Sequence, residues 1–411
     1  MSIPAGSIVT IGGLNVIDRL QDAGLQNPKI PTEVVRETGN NLVVGKVLQE
    51  PDFSFKMTSW DVSCDMIAML EGKFGTITEG PSAKDAAGTK YHWENAQFIN
   101  IVSPWKRDTG TQGGHIEAGV IVPTLFPKSL TYKFGVKENA SCEVTLSTGA
   151  YFMDENYPIE ETAAGTGSAT TFESKEAANL YHVGGHGGTV AQYAFGVLVD
   201  GVIQIKGVDY TEELVAEKVK ITFATAPALA AVIKFCYFSK VAHQLEQSVA
   251  ASTTVTPAAV RGRDIEVLLG PKGSTVPVRG VQSCTINASW QGEVQREMGQ
   301  QEIVGDTQIG TDVNGTLQIQ PKEIKALYVA MAEMLGVPVT EIVGAINQYP
   351  VPLTIAIKDP KAPATIIKSI NVGDCLFQPP GETVKVNSVT EFPINWESEL
   401  GTFEEIKGQL P

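Results

Sequence analysis

Two histidines four residues apart, His182 and His186, stand in the run His-Val-Gly-Gly-His-Gly-Gly, with Glu173 and Glu176 nearby in the chain. On one face of a helix this spacing offers two imidazoles to a metal ion. The four glycines of the run argue against a helix, so the segment reads as a loop and not as a metal centre. His92, His115 and His243 are scattered, with no Ser or Cys nucleophile elbow beside them. The string Gly184 to Thr189 lacks the Lys of a phosphate-binding loop, and no GxSxG or HExxH pattern occurs. The expectation is no catalytic residue, no cofactor and no metal: not an enzyme.

The five cysteines, Cys64, Cys142, Cys236, Cys284 and Cys375, each lie alone in an apolar or strand-like stretch. An odd count without CxxC spacing predicts reduced, buried thiols and not a disulfide framework. The opening Met-Ser-Ile-Pro-Ala-Gly has no basic or hydrophobic leader, and no apolar run reaches membrane-spanning length. These features predict a product of the cytoplasm that has no membrane partner.

The elements that must carry any function are strands. Of 411 residues, 43% are hydrophobic and 19% charged, with 40 Gly and 23 Pro. Apolar runs are short, which predicts many strands joined by turns. The net charge is −15. Affinity for DNA comes from Lys and Arg on phosphates, so this chain is a poor nucleic-acid grip. Two readings of the acidity stand side by side: solubility, or a surface past which DNA moves without sticking.

Along the chain, residues 1–30 read as an irregular arm. Residues 31–58 hold two strand-like runs around the polar turn Thr38-Gly39-Asn40-Asn41. Thr58-Ser59-Trp60-Asp61 then gives a capping pattern for a helix through Val62, Met66, Met69 and Leu70, ended by Gly72. Phe98, Ile99 and Ile101 begin another strand. Leu130, Tyr132, Phe134 and Val136, then Cys142, Val144 and Leu146, alternate with polar residues about a turn at Glu138-Asn139. That alternation predicts a hairpin with one buried and one wet face. Residues 155–190, rich in Gly, Ala, Thr and Ser, read as a linker or long loop. Residues 193–238 read as a small β-sandwich, and 246–260 as a second linker.

The run Glu33 to Gly45 aligns with Glu293 to Gly305 at a constant offset, with seven identities: Glu33, Val34, Arg36, Glu37, Gly39, Val44 and Gly45. In the second copy, Pro321 opens a helix through Ile324, Leu327, Tyr328, Met331, Met334 and Leu335, and Gly336 stops it. Leu353, Ile355 and Ile357 then stand where Phe98, Ile99 and Ile101 stood. Val384 to Trp396 echoes the hairpin of residues 129–147. The sequence therefore predicts a duplicated β-rich lobe with a β module inserted between the copies.

With its first hairpin and polar turn, the strand–helix step from Phe53 to Gly72 and the late hairpin Ser129–Ser147, the lobe resembles the tail tube proteins of long-tailed bacteriophages. The resemblance covers about two-thirds of the chain. It implies a mainly β fold with minor α: two β-sandwich lobes, each with one helix, and an immunoglobulin-like insert. The implied organisation is an arm at 1–30, lobe 1 at 31–154, the insert with its linkers at 155–245, a linker at 246–261 and lobe 2 at 262–411. It also implies a virion tail structural protein, assembled in the host cytoplasm as trimeric, pseudo-sixfold rings stacked into an acidic-lined conduit for DNA. Its partners would be copies of itself, tape-measure and tail-terminator or baseplate proteins, and DNA in transit. Arg36, Glu37, Arg296 and Glu297, near the hairpin turns, are candidate contacts between rings or lobes; an ordinary solvated hairpin tip is the plainer reading. Rival functions are another virion ring, a baseplate or decoration protein, or a carbohydrate-binding β-sandwich.

Overall fold

The computed structural model describes residues 10–11, 15–16, 20–26, 32–35, 45–48, 53–60, 62, 90–92, 99–106, 116–148, 152–154, 158–178, 181–182, 191–192, 194–200, 202–204, 206–239, 260–271, 273–296, 303–380 and 392–410. The chain is mainly β, with short helices confined, among these residues, to its second half.

In the second half, two strands of 16 and 17 residues, Val281–Arg296 and Ile303–Ile319, form one long hairpin. Phe392–Ser398 pairs with the far side of Ile303–Ile319. The 16-residue strand Ala362–Phe377 joins two sheets. Its end at Cys375 to Phe377 pairs with Phe392–Ser398, while its earlier part runs between Val351–Asp359 and Phe403–Lys407. Ile265–Leu269 and Val276–Pro277 complete the outer sheet. Side chains at every second position of these strands fill a core that includes Ile286, Leu317, Ile355, Ile370, Ile394 and Trp396.

Lobe 1 repeats this plan in its strand registers. Glu33 faces Val47 and Glu293 faces Thr307; Val35 faces Gly45 and Gln295 faces Gly305. The pairing of Leu20–Gln26 with Phe53–Ser59 carries a bulge between Leu20 and Asp22, and the matching pair carries one between Val281 and Ser283. Val102 faces Ile121 as Thr354 faces Asn371, with bulges at equivalent places on both sides. Leu146 faces Pro127 as Trp396 faces Phe377. A bulge inserts one residue into one strand and re-aims the side chains beyond it, so shared bulges are a stronger signature than shared strands. The repeat read from the sequence is thus present in the registers, with one adjustment. The equivalent of Leu353 is Ile101, so Ile355 and Ile357 match Ser103 and Trp105, not Ile99 and Ile101.

Two expectations need correction. Within residues 1–30, read as an irregular arm, Thr10–Ile11, Asn15–Val16 and Leu20–Gln26 are strands of lobe 1. Gly24 weakens the apolar pattern there, and Ala23 is the one buried side chain described in that strand. The helix expected in lobe 2 forms, and a shorter one follows it. Ile324–Leu335 is buried along Leu327 and Met331 and ends at Gly336, whose left-handed φ of 68° a side chain tolerates poorly. Val339–Ala345 follows Pro338 and buries Ile342. The helix expected after Thr58 lies outside the described residues beyond Val62, as does the turn Thr38 to Asn41.

The second correction is at residues 155–190, where Pro158–Ala164 and Thr171–Ala177 are strands. Each pairs with one described neighbour, Val232–Phe238 and Lys218–Phe223 respectively. Each also points a polar residue inward, Glu161 or Ser174, so neither shows hydrophobic alternation. Among the described residues the insert holds two main sheets, of four and three strands, around Tyr210, Val219, Ile221, Phe223, Phe235 and Tyr237, and a small two-stranded one, Tyr181–His182 with Ala191–Gln192. The expected hairpin at Asp200-Gly201 forms, with Val199 facing Val202. Lys218–Phe223 and Val232–Phe238, though consecutive in the chain, lie in different sheets.

Gly315 faces Ile286 beneath the indole of Trp396. A Cβ there would lie 2.0 Å from the Thr285 carbonyl oxygen and 2.4 Å from the Trp396 ring. Gly315→Ala is therefore expected to destabilise the chain by about 1–3 kcal/mol, the usual cost of overpacking. Urea unfolding monitored by Trp fluorescence checks it; an unchanged midpoint contradicts this packing.

Candidate functional site

No catalytic constellation comes together among the described residues, and no group of three or more metal-capable side chains does. His182 lies in the two-residue strand Tyr181–His182; His186 lies outside the described residues. No described helix is long and apolar enough to cross a membrane. The feature that stands out is the seam where the lobes meet.

The strand Ile116–Gly135 belongs to lobe 1, and its last residues already pair with Ser141–Thr148. On its other edge it pairs with lobe 2, from Ser129 facing Ser289 to Gly135 facing Ser283. The hydrogen bond from the Val136 amide to the Gln282 carbonyl, 3.0 Å, extends the ladder past the turn. The two lobes thereby share one sheet. Its buried face is continuous across the seam through Leu130, Tyr132 and Phe134, then Cys284, Ile286 and Ala288. Gly262 lies against the Val136 backbone so closely that a Cβ would come within 2.6 Å of its Cα. A second seam adds lobe 1's Lys90–His92 to the edge of Phe403–Lys407, with Glu405 facing Tyr91.

One polar cluster is buried where the lobes touch. Tyr132 comes from lobe 1; Lys368 and Glu405 come from neighbouring strands of lobe 2. The Lys368 ammonium donates to Glu405 Oε1 at 2.9 Å and to the Tyr132 hydroxyl oxygen at 3.0 Å, and the Tyr132 O–H donates to Glu405. The Lys368 Nζ also lies 4.8 Å from the centre of the Tyr132 ring. The Lys368 and Glu405 side chains are 2% exposed, and Tyr132 is fully buried. Neither Lys368 nor Glu405 was singled out from the sequence. A Lys between Ile367 and Ser369 and a Glu in Phe-Glu-Glu-Ile read as ordinary strand residues.

The opposite, wet face of the shared sheet carries mainly hydroxyls and amides. Asn287 donates to Asn314 at 3.3 Å, and Thr316 donates to Asn395 at 2.8 Å. In lobe 1, Glu143 bridges Lys56 at 2.8 Å and Lys133 at 3.4 Å. Burial pushes the Glu143 carboxyl up, but the hydrogen bond from Lys56 and the charges of Lys133 and Lys56 outweigh it and hold its pKa below the ordinary 4.5. Burial pushes the Cys284 and Cys375 thiols far up, so both stay protonated at neutral pH.

Of the four sequence candidates, Arg36, Glu37 and Glu297 lie outside the described residues. Arg296 ends the strand Val281–Arg296 and faces Ile303, which places it at the tip of the long hairpin. Arg296 takes no part in the described pairing between the lobes. No family model and no curated protein matches the chain.

The buried and the half-exposed charges differ in what their removal should do. Lys368→Met leaves the Glu405 carboxylate buried without its cation and is expected to cost about 3–5 kcal/mol by urea unfolding; a change below about 1 kcal/mol contradicts the burial. Glu143 has a lowered folded pKa, so its contribution is present above about pH 4.5 and fades as pH falls through the folded value. Because the site is part-exposed, Glu143→Gln is expected to cost at most about 1 kcal/mol at pH 7. The difference should shrink as the pH falls from 7 to 3; an equal difference at both pH values contradicts the ion pair.

Proposed function

We propose that the chain is a structural subunit that assembles with copies of itself into trimeric, pseudo-sixfold rings, stacked as the tube of a bacteriophage tail. The observation that carries this reading is the head-to-tail character of the seam. Lobe 1 offers its end strand, Ser129 to Gly135, to the first long strand of lobe 2. The two lobes share their strand registers, and the lobe 2 counterpart of the offered strand falls, from residue 381 on, outside the described residues. The lobe 1 counterpart of the receiving strand is Leu20–Gln26. It has the same bulge and register, and among the described residues it pairs only with Phe53–Ser59. A contact of this kind is heterologous. Repeated between molecules, it gives a ring if the rotation closes and a filament if it does not.

Three copies supply six lobes and a closed sheet, and closure removes the edges along which open sheets aggregate. The wet face would line the channel. Lys56 and Lys133 on it are both engaged by Glu143, and the hydroxyls and amides around them offer phosphates no net positive field. The lining of this reading is thus polar and only modestly acidic. Tape-measure and tail-terminator or baseplate proteins are the partners it requires, with DNA in transit and the virion tail as the location.

Arg296, at the tip of the long hairpin, and Arg36, its counterpart in the sequence repeat, keep their role in this reading as contacts between rings or lobes. The double variant R36E/R296E is expected to stay folded by circular dichroism and to lose most of the rapidly sedimenting species that the unaltered chain forms as its concentration rises. Equal sedimentation of the two contradicts the role of these arginines. Absence of large species from the unaltered chain at every concentration and salt contradicts the reading itself. Single rings that never stack favour a baseplate role.

A further inference from the structure

The two lobes match register by register, so each residue at the seam can be compared with its counterpart. Lys368 faces Ile357, and its counterpart Ala118 faces Trp105. Glu405 faces Ile370, and its counterpart Met153 faces Val120. The two register positions that carry Lys368 and Glu405 in lobe 2 are therefore held in lobe 1 by Ala118 and Met153, neither of which is charged. At these two positions lobe 1 has the strand register to match but not the ion pair.

We propose that Tyr132, Lys368 and Glu405 fix the order of lobes in the assembly. They let lobe 2 receive a lobe 1 end strand and stop the lobe 1 of a second copy from receiving it, so that lobes alternate around the ring. This rests on the ring reading above. A buried ion pair adds little net stability over apolar residues of the same shape, and a polar group buried without its partner is costly. The device therefore acts through the wrong pairing more than the right one. Lobe 1 on lobe 1 would set Tyr132 against a lobe whose matching register positions, Ala118 and Met153, carry no charged group. Specificity is a difference between two such pairings.

Disulfide reporters on the wet face read the order directly. Thr131 faces Asn287 across the seam. Gln26, facing Ser54, is the lobe 1 counterpart of Asn287, which faces Asn314. In the otherwise unaltered full chain, T131C/N287C is expected to oxidise within one chain. T131C/Q26C is expected to give no bridge between those positions by peptide mapping. In the Y132F/K368M/E405L background, T131C/Q26C is expected to bridge between chains, at least about tenfold above the unaltered background and increasing with concentration.

The proposal is overturned if T131C/Q26C stays unbridged in the triple variant while T131C/N287C still forms there. It is also overturned if T131C/Q26C already bridges with the three residues intact. Should the triple variant fail to fold, Tyr132→Phe alone, which keeps the ion pair, replaces it; a rise in the T131C/Q26C bridge is expected and no rise overturns the proposal. Sedimentation of the unaltered chain separates the two levels. Large assemblies with unchanged bridging sink lobe order and leave the ring reading standing. No assemblies at all sink both.

Discussion

A β-strand edge presents unpaired amides and carbonyls, and a protein built of open sheets must cover each one or aggregate. That constraint organises this molecule. Within the chain it is met by the ladder from Ser129–Ser289 to Gly135–Ser283, which turns two lobes into one sheet with one core. A second, shorter ladder places Lys90–His92 on the edge of Phe403–Lys407. Duplication then multiplies the problem. In the proposed ring, two copies of a lobe that joins edge to edge leave one more joint of the same type, and another molecule makes it.

The polar cluster at the seam belongs to the same logic. Tyr132, Lys368 and Glu405 bond to one another, through Glu405 Oε1, in a buried place. A seam of Leu130, Phe134, Cys284 and Ile286 alone would hold as firmly, since apolar burial is not directional. It would not distinguish one lobe from the other. Hydrogen bonds and charges do, because their cost when mismatched is large compared with their net benefit when matched.

Much of this fold was legible in the sequence, for a definable reason. Where a strand has one buried and one wet face, alternation marks it, as at Leu130–Phe134 and Cys142–Leu146. The repeat was visible in Glu33 to Gly45, and the registers carry it through the rest of the lobe. Strands without that signature stayed hidden: Leu20–Gln26, with Gly24 near its centre, and Pro158–Ala164 and Thr171–Ala177, which point polar residues inward. The seam was hidden for another reason. Which two edges meet is a property of the lobes in space, and partners as distant in the chain as Ser129 and Ser289 carry no local mark of their pairing. The buried roles of Lys368 and Glu405 were hidden in the same way. The conspicuous pairs Arg36–Glu37 and Arg296–Glu297, by contrast, stand out in the sequence, yet Arg296 lies at a hairpin tip away from the seam.

Repetition of one seam, first within the chain and then between chains until the sheet closes, is tested most directly by electron microscopy of the purified protein with rotational averaging of end-on views. Hollow rings or tubes with three two-lobed subunits per turn, six lobes around the channel, are the expected result. Rings with six whole chains per turn, or helical filaments without a closed sheet, would contradict it.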